Sequence, residues 1–309
     1  MLVKKTLPIL ASLFLLHTSF GSFASAQLAR LNVGYSAISA DQLPAWVAKD
    51  AGIFAKYGLD VQLIFFTGGS TAILALVSGD VPITQVSGPG LVSSGLGGSD
   101  AVFVAGGSRF GSATDSIARF ALKKVGLSVG KDVTLIQVGS GPERLGALQT
   151  GRVTAAVINP PSSFIAEKRG MAVIADVAQM GLVFQHTGAA TTKKFIREHN
   201  DIVRRYVRAH VEAVHRMWTD KEATIRALGK YMGSGLEREI LEKSWENVMH
   251  ETLYPKKQYP SLEGLKTVIE DLAERDPRAK TVKPEQFVDM SFIRELDQSG
   301  FTDGLYKKK

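Results

Sequence analysis

The chain has no cysteine among its 309 residues, which excludes disulfides, thiolate metal sites and a lipid-bearing cysteine near the start. It also lacks the HExxH pattern. His210 and His215 are five positions apart and do not share a helix face as two metal ligands would. The glycines of GSGPERLG, residues 139–146, lack both the lysine of a phosphate loop and the spacing of a dinucleotide loop. Acid pairs such as Glu237 and Glu239 fall on surface helices, so nothing points to general acid/base work. The expectation is a protein that is not an enzyme and needs no cofactor or metal. Lys and Arg exceed Asp and Glu by 37 to 30, a scattered surplus whose only block is Lys307 to Lys309. Nucleic acid is therefore not expected as a partner, although the surplus suits a small anion. Beyond residue 26 no apolar run approaches the about 20 residues that span a bilayer, and the mature chain is expected to be soluble.

Residues 1–26 read as a cleaved signal peptide. Lys4 and Lys5 supply the positive region, Leu7 to Leu16 the short apolar region, and Ala24-Ser25-Ala26 the cleavage site. Pro8, His17 and Ser19 interrupt the run, which argues against a membrane anchor. The expected address is the periplasm, with the mature chain starting at Gln27.

The main organising feature is an internal repeat. GLDVQLIFFTGGSTAILALVSGDVPITQVSGPG returns, at a constant offset, as GKDVTLIQVGSGPERLGALQTGRVTAAVINPP. Asp60 falls on Asp132, Leu63 on Leu135, Gly69 on Gly141, Leu76 on Leu148 and Gly79 on Gly151. Each copy reads as a buried strand, a loop, a short helix ending at Gly79 or Gly151, and a second strand, Val81 to Val86 or Val153 to Ile158. Strand, crossover helix, strand is a parallel βαβ unit. Two such units predict two α/β lobes, with ligand at the carboxyl ends of the strands.

Ahead of the first copy, a strand near Leu31 to Tyr35 leads through a Ser/Ala-rich loop into a helix from about Asp41. This would bring Ser36, Ser39 and Gln42 to a helix start, whose free amides favour negative charge. Trp46 reads as core. After the second copy, Val173 to Asp176 reads as a strand and Val183 to Ala190 as the crossing back. The remainder reads as helices: one capped by Asn200 or Asp201 and running through Trp218, one from Thr219 or Asp220, one from Leu236 to Met249, one from Ser261 to Arg275, and one capped by Ser291. Tyr206 and Trp218 sit at core spacing. This helical tail is expected to pack on the first lobe.

The ordered series GYSAISADQLPAWVAKDAGIFAKYGLDV, GGS, ALVSGDV, SRFGSATD and PERLGALQTGRV, followed by QHTGAATTKKFI, YPSLEGL and KPEQFVDMSFIRELDQSGF, resembles the nitrate/taurine/sulfonate type of solute-binding protein of ABC transporters. The resemblance implies a type II periplasmic binding fold, α/β, of two parallel-sheet lobes with a hinge and a helical C-terminal extension. Residues 27–105 would begin lobe 1, 106–186 form lobe 2, and 187–309 complete lobe 1 and add the helices. It also implies a monomer that binds a small polar or anionic organic solute, of sulfonate, nitrate or pyrimidine-like class, and meets a permease and an ATPase subunit. A pyrimidine-forming synthase shares the fold but would need metal-binding cysteines and a cytosolic address.

Carried over onto matching positions, the ligand contacts on lobe 1 would come from Ser36, Ser39 and Gln42, from Gly69 and Ser70, and from Gln85 and Ser87. On lobe 2 they would come from Ser112, Thr114 and Asn159, with His186 at the return crossing. Three of these stay open on residue grounds. Ser70 reads equally as an N-cap, Asn159 as a turn former before two prolines, and His186 as a structural histidine.

Against the family pattern, a segment on the order of thirty residues is absent between Gly106 and Ser108, where lobe 2 should open with a strand. Ala101 to Ala105 is then claimed by both lobes. The loss predicts exposed strand edges in lobe 2, and with them an inactive or sensory relic as the alternative to a working receptor.

Overall fold

The computed structural model describes residues 27–107, 114–181, 183–233, 235–251 and 253–307. The proposed signal peptide and the stretch with Ser112 lie outside these residues. The first half alternates strand and helix as the sequence predicts. Strand β1 (Ala29–Tyr35) leads through a 3-10 turn (Ala40–Gln42) into α1 (Leu43–Asp50) and α2 (Ile53–Lys56). There follow β2 (Leu59–Phe65), α3 (Gly69–Ser78), β3 (Ile83–Ser87), α4 (Gly88–Leu96) and β4 (Ala101–Ala105). Strand β1 lies between β2 and β3 and pairs in parallel with both, Tyr35 standing opposite Phe65 on one side and Gln85 on the other.

Residues 114–186 carry α5 (Thr114–Lys124), α6 (Gly141–Gln149) and α7 (Ser162–Lys168). Helix α6 sits where the repeat places it: the Ser140 amide donates to the Glu143 carboxylate at 2.5 Å, and the helix gives way to Gly151, at a φ of 69°. The strands expected at 133–136, 153–158 and 173–176 differ from expectation. Among the described residues none joins a ladder, and only an isolated bridge links Val129 to Val133. The reason is topological. In the first copy both strands pair with β1 between them, and the second copy has no such middle strand among the described residues. Ile136 of that copy is left 53% exposed, and in the later run Val173 is 62% and Ile174 82% exposed, while Val133, Leu135, Val153 and Val157 are half-buried.

The chain then returns as β5 (Thr187–Thr192), which enters the first sheet antiparallel between β3 and β4, giving the order β2-β1-β3-β5-β4. The sheet is thus mixed, and the doubly claimed run Ala101–Ala105 serves it as β4. Next come α8 (Lys193–Glu198), α9 (Asn200–Thr219), α10 (Lys221–Met232), α11 (Arg238–Val248), α12 (Leu262–Ala273), α13 (Ser291–Gln298) and α14 (Phe301–Tyr306). Two caps fall where the sequence puts them: the Asp220 side chain accepts from the Ala223 amide at 2.9 Å, and Ser261 Oγ from the Gly264 amide at 3.0 Å. Two do not. His199 precedes α9, and Ser291 is the first residue of α13, its hydroxyl donating to Asp289.

The tail covers the first sheet on both faces. Val33, Val61 and Val104 pack in one cluster with Trp46, Phe54 and the buried stripe Tyr206, Val207, Val214 and Met217 of α9. Val86, Phe103 and Leu91 pack in another with Leu265, Val268 and Leu272 of α12. Trp46 is fully buried, stacked on Tyr231 at 5.0 Å and edge-on to Tyr35 at 5.8 Å, so it belongs to the core. Helix α5 is tied to this body by Ser116 Oγ donating to Asp271 at 2.6 Å and by Arg275 pairing with Asp115 at 2.7 Å.

Candidate ligand-binding site

Three parallel strands end at one edge of the sheet, and β5 begins there: Tyr35 lies beside Phe65 and Gln85, and Ser87 opposite Thr187. The loops that follow must therefore meet. At their meeting point is a buried carboxylate. Asp41 Oδ2 accepts from Ser39 Oγ at 2.8 Å and from Asn159 Nδ2 at 2.9 Å, and His186 Nε2 stands 3.4 Å away. The side chains of His186 and Asp41 are 5% and 7% exposed. Asn159 comes from the 114–186 segment, Asp41 from the turn that follows β1, and His186 from the crossing between them. The constellation spans all three parts.

The sequence proposes Ser39, Gln42, Asn159 and His186 here, but not Asp41 as a ligand contact. Asp is common at a helix start, and the sequence signal for a cap is the same as that for a binding carboxylate. Its presence changes the electrostatics expected of this loop. The helix start that was to face a solute anion holds an acid of the protein itself, in the first turn.

Several buried polar atoms of the loop, the crossing and β3 lack hydrogen-bond partners, donors as well as acceptors. His186 Nδ1, the ring nitrogen away from Asp41, is buried without a hydrogen-bond partner. Gln42 Oε1 is likewise buried and unpartnered. Gln85, fully buried, faces the Tyr206 hydroxyl without a well-formed hydrogen bond on either amide atom. Burial raises the Tyr206 phenol above its ordinary range. Below it, burial pushes His210 down to about 4, against the opposing hydrogen bonds of Gln258 and the Gly106 backbone.

The other proposed residues are placed as follows. Gly69 opens α3 so close to Ser87 that a Cβ would lie 3.4 Å from its hydroxyl, so these two come together. Ser70 is exposed and does not cap α3, which Gly68 precedes. Ser36 and Thr114 are half-buried, and neither side chain has a hydrogen bond among the described residues. No group of three or more His, Cys, Asp or Glu able to hold a metal is present among the described residues.

The profile of the NMT1-like family matches residues 24–105 and 98–233, more than half of the chain. The chain belongs to the NMT1-like family. The two matched stretches overlap on 98–105, which contains β4, the run that both lobes claim in the sequence. No curated protein sequence matches the chain. Among solved structures it is similar to the ligand-binding component of an ABC-type import system from Staphylococcus aureus with zinc bound, at 15% identity and a TM-score of 0.70 over 86% of this chain and 98% of that one. It is similar to the periplasmic nitrate-binding protein NrtA from Synechocystis, at 14% identity and a TM-score of 0.69 over 88% and 89%. It is also similar to the alkanesulfonate-binding protein SsuA from Xanthomonas axonopodis bound to MOPS, at 17% identity and a TM-score of 0.64 over 84% and 96%. At these identities the likeness shows the fold, that of the periplasmic binding proteins.

Proposed function

We propose that this chain is the substrate-binding component of an ABC import system, exported to the periplasm after loss of residues 1–26. It would hold a small polar organic solute and hand it to a permease driven by an ATPase subunit. The carrying observation is the Asp41, Asn159 and His186 constellation, which joins the sheet, the 114–186 segment and the crossing at the carboxyl ends of the strands. In this reading 27–105 and 187–309 form one lobe and 106–186 the other. The solute would bind between Asp41 and Asn159, and closure would be a population shift driven by contacts made only in the closed form. Among the described residues no helix is long and apolar enough to cross a membrane, which fits contact with the membrane through the permease. Binding rather than catalysis is favoured because the convergent groups are hydrogen-bonding groups around one carboxylate.

One observation favours a second reading. The extended runs of 114–186 lack ladder partners among the described residues, as in a relic that has lost its capacity to close. A thermal melt separates the two. The panel is alkanesulfonates, nitrate, aromatic carboxylates, aminopyrimidines and small amines. A solute at 100 times its dissociation constant stabilises the folded state by about 2.7 kcal/mol. Such a shift supports the receptor; a melt indifferent to every class supports the relic.

A further inference from the structure

We propose that Gln258, Tyr259, Pro260 and Ser261 form a clasp that makes the two crossings of the 114–186 segment open and close as one unit. The chain leaves the sheet for that segment through Gly106 and Gly107, and it comes back through Gln185 and His186 into β5. This goes beyond the receptor reading, because it fixes how the segment is hung on the rest of the molecule with or without a solute.

Strands β4 and β5 are antiparallel, so the chain leaves one at the end where it enters the other. The crossings therefore run side by side: a Cβ on Gly107 would stand 2.6 Å from the Thr187 carbonyl oxygen. The Gly106 amide, buried beyond the end of β4, needs a partner outside the ladder. It donates to the Gln258 carbonyl at 2.7 Å, and a Cβ on Gly106 would stand 2.8 Å from the Tyr259 carbonyl oxygen. At the other end of the same short segment, the Ser261 amide donates to Gln185 Oε1 at 2.6 Å. The outgoing crossing is thus held at Gln258 and the return crossing at Ser261.

The segment between these two bonds is stiff. Pro260 fixes its own φ and confines Tyr259 to extended backbone. The tail also anchors it on three helices. Gln258 is buried, its amide nitrogen donating to the Pro255 carbonyl, which turns Oε1 toward His210 Nε2 of α9 at 3.2 Å. The Tyr259 hydroxyl donates to Asp297 of α13 at 3.0 Å, and the Ser261 hydroxyl caps α12. Freeing one crossing from the clasp must therefore disturb a stiff element that also holds the other. Coupling carried by such a contiguous hydrogen-bonded element works in both directions.

The test is native-state hydrogen exchange of the full chain, read by NMR. The amides of Gly106, Ser261 and Gly88 report the outgoing crossing, the clasp and the return crossing, Gly88 through its bond to the His186 carbonyl. In the wild type the three should share one opening, with protection factors within about threefold of one another and about tenfold or more below those of the slowest β1 amides. Gln185→Ala lies on the return crossing, yet it should speed exchange at Gly106 by about tenfold or more, and Gln258→Leu should do the same at Gly88. Unequal protection of Gly106 and Gly88 in the wild type overturns the proposal. So does acceleration confined to the crossing beside each substitution. Exchange of all three amides at the rate of the slowest β1 amides also overturns it, since the crossings would then open only with the whole protein. If either variant does not fold, the wild-type comparison decides.

Discussion

Gly264 lies so close to Gln185 that a Cβ on the glycine would stand 2.3 Å from the Gln185 amide nitrogen. On the other side, a Cβ on Gly88 would stand 2.2 Å from the Gln185 carbonyl oxygen. The crossing thus passes between α12 and α4 with no room for a methyl group. Gln185 is fixed further by its amide donating to the Thr187 carbonyl at 2.9 Å and by accepting from the Ser261 amide at 2.6 Å. The Gly88 amide donates to the His186 carbonyl at 2.9 Å, so the site histidine inherits this rigidity. Gly264→Ala overpacks backbone against backbone and should lower stability by about 1–3 kcal/mol or more. Calorimetry should show a melting temperature several degrees lower; a shift under about one degree would mean the crossing is not confined in this way.

His210 gives the protein an acid-sensitive term. Its folded value of about 4 lies below the unfolded value near 6.5, because burial disfavours the imidazolium. Between those values the unfolded chain binds more protons, so stability rises with pH. The contribution is fully present above about pH 6.5 and is lost as pH falls toward 4, by at most about 3 kcal/mol. His210→Gln keeps a partner for Gln258 and cannot titrate. Urea midpoints measured from about pH 7 down to about pH 4.5 should fall less in the variant than in the wild type. Parallel curves would show that His210 takes up its proton without unfolding.

The first sheet was legible because its signals are local. Leu59–Phe65 and Ile83–Ser87 carry their own apolar pattern, and the partner they need, Ala29–Tyr35, is nearby in the sequence. The same pattern at 133–136 and 153–158 misled, since a strand exists only with a neighbour, and pairing is not a property of the run itself. The repeat nevertheless identified the missing neighbour. Ser39, Gln42, Asn159 and His186 were reachable from the loop positions and the resemblance. Asp41 was hidden by its second meaning as a helix-start residue, and no periodicity separates the two.

In the proposed two-lobed receptor, Asn159→Asp would place a second carboxylate against Asp41 where the lobes meet. Two such groups in one buried place cannot both remain charged at low cost, and one of them is driven to protonate. At neutral pH the solute-free variant should open, with a larger radius of gyration in small-angle scattering than the wild type. Lowering the pH should restore the wild-type value, because one proton removes the repulsion. An unchanged radius at both pH values would show that Asn159 and Asp41 do not hold the cleft shut.

Ile174 distinguishes an open second segment from a closed one. Its run, Val173 to Asp176, reads as a strand, yet Ile174 is 82% exposed and Val173 62%. Ile174→Lys therefore exchanges one solvated side chain for another and should change stability by no more than about 0.5 kcal/mol. It should also reduce self-association, since a charge on an unpaired extended run blocks edge-to-edge pairing. Val86→Lys, at a fully buried position of β3, is the contrasting case: an unpaired charge in the core should cost several kcal/mol or abolish folding. Denaturant melts and light scattering on both variants measure the contrast directly. A strongly destabilised Ile174→Lys would mean that this run is covered in solution, and that residues 114–186 build their sheet without the strand that β1 supplies to the first copy.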